Sequence, residues 1–178
     1  MTMGVVIDRY LAEELPERVS TASRYRCWLE NYVRPRWGEV FLKEVRPRFV
    51  EPWLKELDLA PKSKAHLKSL LRILFNCAMR WEFMPLGENP MRLVRVKGSS
   101  KRLREPVTLT FEQFPKVLHH IKEPYKSMCI VAACLGLRSS EILGLQWDDF
   151  DWERGQVKIQ RSWVDGEVGA TKTENSRA

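Results

Sequence analysis

The residues best suited to chemistry are Arg138 and Glu141, three apart in Gly136-Leu137-Arg138-Ser139-Ser140-Glu141-Ile142-Leu143-Gly144-Leu145. A guanidinium keeps its charge at any ordinary pH and offers its N–H groups as a planar fork. Flanked by Leu137, Ile142, Leu143 and Leu145, it is partly shielded from water. The anion it suits best is a phosphate, met by paired charge-assisted hydrogen bonds. The same spacing permits a plainer arrangement, an Arg138–Glu141 ion pair that only pins a junction. Lys172, in Thr171-Lys172-Thr173-Glu174-Asn175-Ser176, is a second cation, and by itself it reads equally as a surface lysine on a hairpin.

The apolar run Met128 to Leu135 comes just before Arg138. Its Ala132-Ala133 pair and its lack of alternation predict a helix rather than a strand. Gly136 suits the left-handed position just past a helix end. Ser139 is placed to cap the next helix, with Glu141 in its first turn. Past Leu145 the period changes. Val157, Ile159, Arg161 and Trp163 alternate with Gln156, Lys158, Gln160 and Ser162, which predicts a strand. Asp165-Gly166 predicts a hairpin turn that carries the chain back towards Lys172.

The 178 residues suffice for one domain or two small ones, and 44% are hydrophobic. The net charge of +7 favours a polyanionic partner. It is unevenly placed: residues 1–106 hold 21 Lys and Arg against 13 Asp and Glu, and residues 107–178 hold 9 against 10. No stretch is long and apolar enough for a membrane span or has the form of a signal peptide. The four cysteines, Cys27, Cys77, Cys129 and Cys134, lack metal-ligand spacing and read as free thiols of a reduced, cytoplasmic protein. His66, His119 and His120 form no ligand cluster, so no metal is expected.

In the first half, helices are predicted over Val5–Leu15, from Ser20 or Thr21 to Pro35, from Pro47, and over Pro61–Trp81. Tyr25, Trp28, Leu29, Tyr32 and Val33 share one face, read as core rather than as a base-stacking platform. Pro52 counts against the helix from Pro47. Leu67, Leu70, Leu71, Leu74, Phe75 and Ala78 form an apolar stripe. Lys64, Lys68, Arg72 and Arg80 lie along the other side, with no Asp or Glu between Leu59 and Arg80. A basic stripe without counter-charge, joined by Lys62, points to phosphate contact. Asn89 to Arg104 holds six basic residues, no acid and a Gly98-Ser99-Ser100 centre, the composition of a linker that can follow a DNA backbone through Arg95, Lys97, Lys101 and Arg102. Thr110 and Gln113 make a capping box, and Phe111, Phe114, Val117, Leu118 and Ile121 are predicted to form a buried face after it.

From about Leu135 to Ser176, the arginine box, the following strand and the hairpin lysine resemble the first active-site box of the tyrosine recombinases, the phage integrase family. The amino-terminal part is similar to that family's helical core-binding domain. The resemblance implies a mainly α fold with a small antiparallel β-sheet. A SAM-like helical-bundle core-binding domain over 1–92 would be followed by a basic linker, 93–105. Residues 106–178 would be the first part of an α+β catalytic domain. In that family the two domains close around double-stranded DNA. A tyrosine hydroxyl attacks a phosphodiester, and a 5′-hydroxyl later reverses the 3′-phosphotyrosine link, without metal or nucleotide cofactor. Arg138 would be the first of two catalytic arginines, Glu141 its support, and Lys172 the general acid at the leaving 5′-oxygen.

The family's His-x-x-Arg box and late nucleophilic tyrosine have no match here. Tyr10, Tyr25, Tyr32 and Tyr125 all precede Arg138. The expectation is therefore a DNA-binding integrase chain, cut within its motif at Ala178, that does not cleave DNA alone. An incompletely covered sheet adds the expectation of self-association or of disorder past about Trp163. The alternative is a non-catalytic DNA-binding module that occupies recombinase sites. A protein–protein interaction domain, the third class, would show no salt-dependent DNA binding. No small-molecule substrate is implied.

Overall fold

The structure, a computed structural model, describes residues 1–100 and 105–171. The chain divides into two compact units, Met1–Arg104 and Glu105–Ala178. It is mostly helical, with two small antiparallel sheets.

In the first unit, α1 (Met3–Glu13) buries Met3, Val6, Ile7 and Tyr10, the three- and four-residue spacing of one helical face. α2 (Val19–Trp28) runs through a wide turn, Leu29–Val33, into α3 (Arg34–Trp37). Pro35 therefore does not close the helix. The turn before it is widened, with the Arg34 N–H on the Leu29 carbonyl five residues back, and such a turn resets the ladder into which a proline brings no donor. α4 (Pro47–Glu56) begins on Pro47, whose fixed φ suits a first helical position, and carries Pro52 on its exposed side.

α5 (Pro61–Arg80) is the centre of this unit. Leu67, Leu70, Leu71, Leu74, Phe75 and Ala78 are each at most 1% exposed. Trp37 and Trp53 meet edge to face at 5.6 Å in the same core. Tyr25, Trp28 and Tyr32 pack against that core as partly buried side chains. The chain after α5 is tied back to it by Asn89, whose amide donates to the Arg72 carbonyl at 2.8 Å and to Asn76 Oδ1 at 2.7 Å. Met91 and Val94 are buried and Val96 packs beside them, so the basic segment is anchored to the first core as far as residue 96.

In the second unit, Thr110 and Gln113 exchange hydrogen bonds at 3.0 and 3.2 Å ahead of α6 (Gln113–His119), as the capping box predicts. α7 (Tyr125–Leu135) ends on Gly136, which is left-handed at φ 65°. α8 (Ser139–Leu143) follows. β1 (Phe150–Asp151) pairs antiparallel with β2 (Gln156–Val157), and β3 (Arg161–Val164) with β4 (Glu167–Ala170). Asp165 and Gly166 both take positive φ in the tight turn between β3 and β4.

Two predictions fail here. The alternating run from Gln156 is not one strand: after the Lys158 N–H bonds the Asp149 carbonyl next to β1, the chain leaves that pairing over residues 158–160 before β3 pairs with β4. The expected buried face after Thr110 is only partly formed: Phe114, Leu118 and Ile121 are half-buried. Phe111 is 93% exposed and Val117 41%, and among the described residues of this unit Ile159 is the one buried large apolar side chain. Among the described residues, the short helices and two-stranded sheets of this unit leave Phe111 and Val117 uncovered. Among the described residues, no helix is long and apolar enough to cross a membrane.

Candidate functional site

Arg138 stands at the amino-terminal cap of α8, its backbone extended at φ −73°, ψ 151°. Gly136 makes this possible by turning the chain sharply out of α7; its N–H still reaches the Ala132 carbonyl at 3.0 Å. Ser139 is not the cap but the first helical residue. Capping comes from Glu141, whose Oε2 accepts the Arg138 N–H at 2.9 Å. Its Oε1 accepts from Arg138 Nη1 at 2.7 Å. The carboxylate is only 5% exposed, whereas the Arg138 side chain is 56% exposed. The buried carboxylate thus holds one terminal nitrogen of the guanidinium on a side chain that is more than half exposed. The Glu141 carboxyl lies below the ordinary carboxylate range, first because of the Arg138 N–H, and its burial opposes this only in part before the guanidinium adds to it.

Two contacts missed in the sequence fix α8 against the hairpin. Gly144, just past α8, lies so close to β3 that a Cβ would stand 2.9 Å from the Arg161 carbonyl oxygen and 3.1 Å from Ser162 Cα. Asp149, 2% exposed, takes Arg161 in a two-pronged pair at 2.9 and 3.0 Å and also accepts the Gln146 N–H at 2.8 Å. Ser162 then donates to the Ala170 carbonyl at 3.0 Å, joining β3 to β4. The helix bearing Arg138 and Glu141 is thereby fixed to the strand pair that leads towards Lys172. Lys172 itself, like Lys101 and Arg102, lies outside the described residues. The Asp149–Arg161 pair spans twelve residues, and no local pattern announces it.

The first unit carries the cations. Lys62 and Arg72 are exposed and Lys68 half-buried, and among the described residues none of the three has an ion-pair partner. Lys64 Nζ donates to the Lys55 carbonyl at 2.9 Å, tying α5 to the last turn of α4. Arg80, placed in sequence on the basic side, is neutralised by Glu14 at 2.6 Å, a partner the local sequence does not show. Arg95 and Lys97 are exposed, while the Arg95 N–H is held by Glu51 Oε1 at 2.7 Å. Among the described residues, no group of three or more His, Cys, Asp or Glu is placed to hold a metal ion.

No family model matches the chain. The chain is 30% identical over 128 residues to the ICEBs1 integrase of Bacillus subtilis, which covers 69% of this chain and 34% of that protein. It is 25% identical over 174 residues to a tyrosine recombinase XerC-like protein of Caldanaerobacter subterraneus, covering 90% of this chain and 44% of that one. Its fold is that of the Tn1549 transposon integrase, solved in complex with transposon right-end DNA: the TM-score is 0.74 at 21% identity, over 98% of this chain and 58% of the other. The chain spans between 34% and 44% of the length of the curated relatives it matches.

Proposed function

We propose that this chain, which belongs to the tyrosine recombinase (phage integrase) family, grips double-stranded DNA with its basic first unit and presents Arg138 to a phosphodiester within a recombinase active site. The observation that carries this reading is the asymmetry at Arg138: a buried carboxylate fixes one edge of a guanidinium whose side chain is more than half exposed.

The chemistry follows from the charges. Displacement at a phosphodiester spreads negative charge over the non-bridging oxygens, and a preorganised guanidinium stabilises that charge without reorganising. Arg138 supplies two-pronged hydrogen bonds to those oxygens. Glu141 is a positioning residue, holding both the backbone and the guanidinium of Arg138. Lys172 donates the proton to the departing 5′-oxygen. The chain's four tyrosines do not serve as nucleophile. Tyr10 is 3% exposed inside the first unit, and Tyr25 and Tyr32 pack against the same core. Tyr125 opens α7 and precedes Arg138. These 178 residues therefore bind DNA without breaking it. The contacts of the first unit fall on the backbone and set register rather than read sequence.

The test is incubation with a labelled duplex, run on native and on denaturing gels. The expected result is a retarded band that fades as salt rises and no adduct that survives denaturation. Absence of retardation at low salt would refute the DNA-binding reading, and a covalent adduct would refute the partial active site.

A further inference from the structure

Resting on the DNA-binding reading, we infer that a cavity in the first unit, between α4, the start of α5 and residues 95–97, seats the sugar–phosphate backbone of one DNA strand, with Arg48 and Lys55 as phosphate ligands. The cavity has a volume of about 500 Å³. Five cations line it: Arg48, Lys55, Lys64, Arg95 and Lys97. Among the described residues, none of the five has a carboxylate partner within ion-pair distance. The one acid in the wall is Glu51, and one of its oxygens is taken up by the Arg95 N–H at 2.7 Å.

That bond gives the cavity its shape. It fastens the basic segment across α4, and Val94, 1% exposed, anchors the same segment in the core one residue earlier. Lys64 closes the other end through the Lys55 carbonyl, using one of its three donors. Arg48 lies over the Phe49 ring at 4.6 Å, which limits its freedom. Five cations crowded round one committed carboxylate repel one another, and a polyanion relieves that repulsion. Between them the wall is apolar, with Pro52 and Val96. A deoxyribose suits such a surface. A base edge would need directed donors and acceptors, which these side chains do not supply in a fixed pattern.

The experiment compares the whole chain with its Arg48→Ala/Lys55→Ala variant for binding to a fluorescent duplex across a salt series. Both residues are exposed, so the fold is kept, and an unchanged melting temperature checks this. The variant should bind more weakly on every duplex sequence, with the slope of log K against log salt reduced by about two. An unchanged slope, alongside a loss in a Lys62→Ala/Lys68→Ala/Arg72→Ala variant, would overturn the cavity assignment and leave DNA binding intact. Failure of the wild-type chain to bind DNA would overturn the reading beneath both. Stabilisation by thymidine monophosphate that the double variant abolishes, with duplex binding unaffected, would assign the cavity to a free nucleotide. Binding of polyglutamate that is lost in the same variant, again without effect on duplex binding, would assign it to an acidic protein. Either result overturns the strand assignment.

Discussion

Replacing Glu141 separates the two roles that its carboxylate plays. One oxygen caps α8 through the Arg138 N–H and the other meets the guanidinium. Loss of an amino-terminal cap costs about 0.5–2 kcal/mol. The ion pair adds about 0–1 kcal/mol, because the Arg138 side chain is 56% exposed and water replaces the carboxylate. Glu141→Ala should therefore destabilise the second unit by about 2 kcal/mol. Glu141→Gln keeps an oxygen for the N–H and should cost less than about 1 kcal/mol. Arg138→Ala, which keeps the backbone N–H and the cap, should also cost about 1 kcal/mol or less. Hydrogen exchange read by mass spectrometry on peptides from α7 and α8 reports this region apart from the first unit. The pH dependence has a definite sign. Because the folded carboxyl is held below its ordinary value, its contribution is complete above the unfolded value of about 4.3 and is lost as pH falls through the lower folded one. Glu141→Gln should remove that acid limb. If Arg138→Ala opened the region as much as Glu141→Ala, the ion pair itself would be the structural element, and the outward-held guanidinium would lose its argument.

Further outcomes follow from packing. Gly144→Ala should destabilise the second unit by about 1–3 kcal/mol, since the new methyl meets backbone atoms of β3 that cannot swing aside; calorimetry checks it, and a neutral result would refute the close approach. Leu71→Ala, at a site with no exposure in the middle of α5, should cost about 3–5 kcal/mol by chemical denaturation, whereas Leu143→Ala, at 49% exposure, should stay within about 1 kcal/mol. The Tyr10 hydroxyl is pushed up to about 12, chiefly by burial, so its contribution to stability is whole below pH 10 and is lost as pH rises towards 12. Phenolate absorbance should show one late-titrating tyrosine, absent in Tyr10→Phe.

Much of the first unit was legible because its signals are local. The α5 stripe keeps a regular helical period over a long run, and every apolar position in it is buried. The Asp165-Gly166 turn and the Gly136 helix end were legible for the same reason, since positive φ selects few residues. What escaped was non-local. Glu14 neutralises Arg80 across 66 positions, and Asp149 finds Arg161 only once the chain has folded. Phe111 and Val117 were misread because an apolar helical pattern shows what could be buried without showing what covers it. Pro35 was misread because a widened turn can carry a proline through a helix.

The most direct measurement is the affinity of this chain for a short duplex as a function of salt, with and without Lys62, Lys68 and Arg72 neutralised together. Binding should fall steeply as salt rises, and the triple variant should reduce the slope of log K against log salt by roughly two to three. Arg138→Ala should leave that slope nearly unchanged, since one guanidinium adds little to a grip made elsewhere. Salt-independent binding, or a triple variant indistinguishable from the wild type, would contradict a first unit that holds DNA through its phosphates.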